Sequence, residues 1–383
     1  MFAFDFQLRT RFICGPNKVD LLGALAGELG ARRALVVSDP GIVAAGHAAR
    51  GIEALRNAGI ETHLFDGVTE NPTTENVEAG LVIARRYQPE LLVGLGGGSS
   101  LDCAKGINFL YSNGGRMQDY WGVGKATREM LPMIAVPTTS GTGSEAQSFA
   151  LISDAETHVK MACGDKKAAC RIAVLDPTLT TTQPQRVTAL TGMDAIAHAL
   201  ETYVTKPRNA MSLLYSREAW RLLESNFARV LDDPFDLEAR SGMQLGACLA
   251  GLAIEHSMLG ATHALANPLT AEYGIVHGQA IGLLLPHVIR FNGRDVGAWY
   301  HELLEYTAGE NGAPHPDGGA EALADFVASL RDKAGLPATL SECSVERELL
   351  PRLAADAAKQ WTGTFNPRSV NEADLLELYE AAF

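Results

Sequence analysis

A chain of 383 residues, 46% hydrophobic and 20% charged, carries enough apolar material for two folded cores. Its net charge of −13 and the lack of a long basic run argue against nucleic acid and anionic membrane surfaces as partners. MFAFDFQLRTRF lacks the order of a secretory signal, AIGLLLPHVI is too short to span a bilayer and reads as a buried helix, and six scattered cysteines without a CxxC read as reduced thiols, so a cytoplasmic protein is expected.

FAFDFQLRTRFICG alternates apolar and polar residues and predicts a strand or hairpin, a candidate homodimer contact. Short apolar runs then alternate with helix-like stretches: ALVVS (Ala34–Ser38), GIETHLFDGV, ELLVGL (Glu90–Leu95), MLPMIAVPTT and RIAVLDP. Near-continuous apolar strands separated by helices predict a parallel sheet covered on both faces. After Pro184 the period becomes helical, in VTALTGMDAIAHALETYV, SLLYSREAWRLLESNFARVL, ARSGMQLGACLAGLAIEHSML, GGAEALADFVASLRDKAGL and NEADLLELYEAAF. The expected organisation is an α/β domain over 1–181 and an all-helical domain over 182–383.

Two glycine-bearing loops follow strands of the first domain. ELLVGL runs into GGGSSLDCAK, where glycines let backbone N–H groups approach a phosphate at a helix N-terminus. Ser99 suits capping of that helix or donation to a phosphate oxygen, and an ordinary tight βα turn is the competing reading. The second loop, VPTTSGTGSEA, formally contains GxGxxA at Gly141, Gly143 and Ala146, but its Thr/Ser density suggests side chains wrapping a ligand more than a bare phosphate cradle. Asp39 ends the first strand in VVSDPG, where an acid either binds ribose hydroxyls or makes the turn before Pro40; it precedes the glycine loop, whereas the ordinary fingerprint has it following.

The second domain holds Asp194 and His198 in GMDAIAHALETY, four apart and so on one helix face, and His263 and His277 in ATHALANPLTAEYGIVHG. Pro268 and Gly274 predict a helix end and a loop that return His277 toward His263. One carboxylate and three imidazoles suit a divalent first-row metal such as Fe²⁺ or Zn²⁺. Their apolar surroundings argue against a solvated surface pair, since a buried Asp beside a buried His calls for a counter-charge.

GGGSSLDCAK, PTTSGTGSE, GMDAIAHALETY and THALANPLTAEYGIVHG, in this order, resemble the iron-containing (group III) alcohol dehydrogenases; ENPTTENV and NPRSVNEADLLELYEAAF extend the resemblance over essentially the whole chain. The resemblance implies a dehydroquinate synthase-like fold with a dinucleotide-binding α/β domain, an all-α domain and a metal in the cleft between them, held by Asp194, His198, His263 and His277. It implies the pyrophosphate at Gly97, Gly98 and Ser99, and cofactor contacts from Asp39, Asn71, Thr138, Thr139, Ser144 and Lys160. Asp39 matches members that use NAD(H). The implied reaction is hydride transfer between NAD(H) and a small alcohol or aldehyde, with His263 and His277 at the reacting centre. Many members carry a second histidine, a proton relay, where this chain has Asn267, an amide that takes no proton near neutral pH. His256, in AIEHSML, is a candidate replacement relay, and a satisfied helix-face histidine is the alternative; His287 is expected to pack or hydrogen-bond. Four protein ligands favour iron over zinc. The rival reading is an NAD- and metal-dependent lyase or cyclase of the same fold, and a non-catalytic nucleotide sensor is a third.

Overall fold

The computed structural model describes residues 3–311 and 319–383. Its compact units divide at Gln183/Pro184, and the helical unit also gathers the N-terminal residues through Phe6 and the short segment Ser140–Thr142.

The sheet-built unit contains a six-stranded, all-parallel sheet made of β1 (Arg11–Cys14), β2 (Arg33–Val37), β3 (Glu61–Phe65), β4 (Leu91–Gly96), β6 (Met133–Pro137) and β9 (Ile172–Leu175), in the order β1-β9-β6-β4-β2-β3. A smaller sheet is built from β5 (Gly122–Val123), β7 (Phe149–Ser153) and β8 (Lys160–Gly164), in the order β5-β8-β7. Helices α1 (Leu22–Glu28), α2 (Pro40–Ala44), α3 (His47–Asn57), α4 (Thr74–Tyr87) and α5 (Gly98–Asn113) belong to this unit. Successive side chains of a strand point to opposite faces, and both faces here are apolar. Leu35, Val37, Leu92 and Ala135 pack with Leu101, Ala104 and Ile107 of α5, while Ala34, Val36, Val93 and Val136 pack with Leu22 and Leu25 of α1. Burial on both sides is why the strands read as continuous apolar runs.

The helical unit comprises α6 (Gln185–Val204), α7 (Ala210–Asp232), α8 (Leu237–His256), α9 (Ala261–Tyr273), α10 (His277–Asn311), α11 (Ala320–Lys333), α12 (Leu350–Ala357) and α13 (Glu372–Ala381). One apolar cluster from Ala189 to Ala382 forms its core, with Trp220, Phe227 and Tyr203 fully buried. The apolar stretch around Pro286 lies inside α10, which breaks from helical geometry at Val296. Among the described residues no single helix is long and apolar enough to cross a membrane. All six cysteines are free thiols.

The structure narrows two expectations and adds one element that was unforeseen. The N-terminal alternation yields a strand only over Arg11–Cys14, which joins the sheet edge beside β9; residues 3–10 have no regular structure, because only Arg11–Cys14 pair with a strand. The helix end and loop expected from Pro268 and Gly274 are present, but Gly274 alone makes the stop, with its left-handed φ of 64°, and α9 runs through Pro268. The small sheet was not anticipated, since β7 and β8 are short and separated by a polar turn.

Candidate metal centre and nucleotide loops

Helix α6 is buried almost throughout from Thr188 to Val204, yet it carries Asp194, His198 and Glu201 on one face at positions i, i+4 and i+7. The Nε2 of His198 lies 3.3 Å from Asp194 Oδ1, that of His263 3.5 Å and that of His277 3.6 Å. Asp194, His263 and His277 each offer one ligand atom within 4.8 Å of the others; His198 joins through its distance to the same carboxylate oxygen and its stacking on His263, ring centroids 4.9 Å apart. Helices α9 and α10 are joined only by Gly274, Ile275 and Val276, so the turn at Gly274 brings His277 back beside His263.

These side chains fit a metal ion. Asp194 Oδ1 and His263 Nε2 are buried and make no hydrogen bond, and buried polar atoms without a partner are rare and costly. Bonds of about 2.1 Å at tetrahedral angles place donor atoms roughly 3.4 Å apart, the spacing seen around Asp194 Oδ1. Burial alone raises the Asp194 carboxyl, but His198, His263 and His277 outweigh it and hold the group ionised, below the usual carboxylate range. His198 is driven down by burial, against the pull of Asp194. His263 is also penalised by burial, yet Glu201 and Asp194 push it up to about 9. His277 is the most open of the four, its side chain 26% exposed against 6–9% for the others.

Glu201 was absent from the sequence reading. Its Oε2 accepts from His263 Nδ1 at 2.5 Å and its Oε1 from the Thr262 backbone N–H at 2.7 Å. The available signal was an acid on the Asp194/His198 face of an apolar helix, which needs a buried partner.

His256, at the end of α8, packs its ring on Phe6 with centroids 4.5 Å apart, and its carbonyl accepts from Asn209. Asn267, one turn beyond His263, donates to Gln360 Oε1 at 3.0 Å, and neither amide exchanges a proton near neutral pH. His287 lies half-buried; burial, then the charges of Arg290 and Arg331, lower it to about 4.

In the sheet-built unit, β4 ends at Gly96, whose φ of 155° and lack of a Cβ are both required: a Cβ there would lie 2.4 Å from Ser100 Oγ. Gly97, not Ser99, is the N-cap of α5, so Gly98 and Ser99 occupy its first turn and Ser99 makes no cap. Gly97 faces Thr139, whose methyl would sit 3.3 Å from an added Cβ, and Thr138 N–H donates to Gly96 O. Asp39 meets its turn reading: Oδ1 caps α2 by accepting from Ile42 N–H, and Oδ2 accepts from Ser100 Oγ at 3.0 Å beside the glycine loop. Asn71, in left-handed conformation, accepts from Lys160 Nζ at 3.4 Å. Gly143 precedes only a three-residue 3₁₀ turn, so the formal GxGxxA does not open a dinucleotide-type helix.

A residue pair outside the sequence reading supports these loops. Lys105 of α5 is wholly buried, and its Nζ donates to Ser144 O, Ser144 Oγ and Phe149 O at 2.7–2.8 Å. Ser144 Oγ in turn donates to Asp102 Oδ1 at 2.6 Å, and Asp102 lies 3.8 Å from Lys105.

Residues 9–177 match the family model of the iron-containing alcohol dehydrogenases, and residues 188–383 match the C-terminal model of the same family. The chain is 34% identical to a 1,3-propanediol dehydrogenase of Klebsiella pneumoniae, across 99% of each, and 30% identical to an NAD-dependent methanol dehydrogenase of Bacillus methanolicus, also across 99% of each. A crystal structure of 1,3-propanediol oxidoreductase superposes with a TM-score of 0.95 at 34% identity, over the full length of both chains. These relatives are redox enzymes, which sets aside the lyase reading and the non-catalytic sensor. The chain is an oxidoreductase of the iron-containing alcohol dehydrogenase family.

Proposed function

We propose that this enzyme transfers hydride reversibly between NAD(H) and a small alcohol or aldehyde, with a divalent metal, iron by preference, held by Asp194, His198, His263 and His277. The observation that carries the reading is the set of three imidazole nitrogens converging on one buried carboxylate oxygen with no hydrogen bond of its own. A cation bound there supplies Lewis-acid polarisation of a substrate oxygen. Asp194 stays ionised and offsets part of the cation's charge, while the other donors bind as neutral imidazoles. The exposed flank of His277 leaves room for a small substrate to approach.

On the sheet-built unit, Gly97, Gly98 and Ser99 offer the first turn of α5 to a pyrophosphate, where backbone N–H groups and the helix dipole favour negative charge. Thr138, Thr139, Ser144, Asn71 and Lys160 are the further cofactor contacts of this reading. Asp39 would accept from ribose hydroxyls and repel a 2′-phosphate, which supports NAD(H) over NADP(H), as does the name of the Bacillus methanolicus relative. The Asn267–Gln360 amide pair carries no proton, so the substrate proton leaves by another route, through water in this reading. A homodimer through the extended N-terminal segment, where Phe4 and Leu8 remain exposed, completes the proposal.

The test is metal-free protein reloaded anaerobically with Fe²⁺ or Zn²⁺ and assayed by NADH absorbance against small aldehydes and alcohols. Turnover that depends on the metal is expected, greater with Fe²⁺. Metal uptake without NADH consumption on any substrate would overturn the reading.

A further inference from the structure

Behind the four donors lies a second polar layer, built on Glu201 and Asn366. Glu201 is 3% exposed and makes two contacts with the start of α9: His263 Nδ1 at 2.5 Å and the Thr262 N–H at 2.7 Å. The neighbouring N–H, of Ala261, donates to Asn366 Oδ1 at 3.2 Å. Asn366 is itself fixed: its Nδ2 donates to Asn292 Oδ1 and Arg368 O, both at 2.7 Å, and Asn292 Nδ2 donates back at 3.1 Å. Gly260 completes the packing, since a Cβ there would come within 2.9 Å of Asn366 Oδ1 and 3.1 Å of Glu201 Oε1.

Each group has a defined chemical role. An ionised carboxylate only accepts, so in neutral His263 the proton must sit on Nδ1, and the Nε2 lone pair is left free. That Nε2 is the buried atom without a hydrogen bond, 3.5 Å from Asp194 Oδ1. The carboxylate also sits at the N-terminus of a 13-residue helix, where the otherwise orphaned Thr262 N–H and the helix dipole favour it. A carboxylate that accepts from a ligand histidine raises its donor strength and locks its ring.

We propose that Glu201 is a positioning residue that fixes the tautomer and aim of His263, and that Asn366 pins the turn of α9 on which this depends. The C-terminal NPR segment thereby becomes part of the metal site's support, although it is far away in sequence. The inference rests on the reading that the four donors hold a divalent ion.

The experiment loads the full-length protein with Co²⁺ as the probe. It compares wild type, Glu201→Gln and Asn366→Ala by chelator competition, with circular dichroism as the check on folding. Folded Glu201→Gln should bind Co²⁺ about 10–100-fold more weakly, and Asn366→Ala should move in the same direction by a smaller factor. Proton NMR of the Co²⁺-loaded wild type should show one ligand imidazole N–H exchanging with solvent far more slowly than the rest, lost in Glu201→Gln. Folded Glu201→Gln with wild-type affinity overturns the inference alone, and unchanged affinity in Asn366→Ala removes Asn366 from it. If Glu201→Gln does not fold, the wild-type spectrum decides: imidazole protons that all exchange alike overturn the inference. Wild type that takes up no Co²⁺ overturns both this inference and the reading beneath it.

Discussion

In the sheet-built unit the buried cation Lys105 makes three hydrogen bonds and lies near Asp102, so the charges beneath the glycine-rich loops are satisfied by the chain itself. In the helical unit Asp194 Oδ1 and His263 Nε2 are equally buried and make none. The sheet-built unit has an orphan of its own in this region, Thr138 Oγ1, but it is a neutral hydroxyl. Leaving a hydroxyl unpaired costs about 1–3 kcal/mol, and a charged group costs more. One unit therefore satisfies its buried charges within the chain; the other leaves them for the cation of the proposed reading to complete.

His263→Ala breaks this contrast most severely. It should lower kcat/KM on the order of a thousand-fold, about 4 kcal/mol, while NADH binding by fluorescence titration stays near wild type. Equal loss of both would mean that the two units are not independent in this way. Lys105→Met attacks the finished side: removing one partner of a buried charge pair should destabilise the sheet-built unit by about 3 kcal/mol in urea unfolding. A change near zero would show that Asp102 and Ser144 do not depend on the lysine.

The unfinished side predicts a proton. With the metal absent, Glu201 and Asp194 keep His263 protonated up to about pH 9. Loading at about pH 7.5 should then release about one proton, and apparent affinity should strengthen with rising pH until about pH 9, by about 2 kcal/mol over that interval. Uptake into a lightly buffered indicator solution measures it, and no release would contradict the arrangement. The smallest expected effect is on the cofactor: Asp39→Gly should shift the NADP-to-NAD preference by about 10-fold, roughly 1.4 kcal/mol. Steady-state kinetics with both cofactors reads this, and an unchanged ratio would leave Asp39 as the cap of α2 alone.

Much of this was legible in the chain. Asp194 and His198 declare themselves because side-chain chemistry and a four-residue spacing coincide in an apolar helix, and the parallel sheet because its strands are apolar on both faces. Glu201 did not, although it stands three residues from His198: its meaning depends on the start of α9, a contact between positions 62 apart in sequence. Lys105 was hidden similarly, since GGGSSLDCAK reads as a glycine loop and its lysine meets Ser144 and Phe149 only once the fold is closed. Pro268 misled because a missing N–H argues against helix locally, whereas burial of its neighbours Leu265, Ala266 and Leu269 keeps α9 continuous.

The four donors come from three helices, with a long stretch of chain between His198 on α6 and His263 on α9 and only a short link from α9 to α10. An ion shared among them, as proposed, would act as a removable cross-link. It closes a large loop in the unfolded chain much as a disulfide does, where the loss of chain entropy is worth about 3–5 kcal/mol. Stripping it should therefore loosen the register of α6 against the α9–α10 hairpin, and show itself as faster amide exchange along those helices.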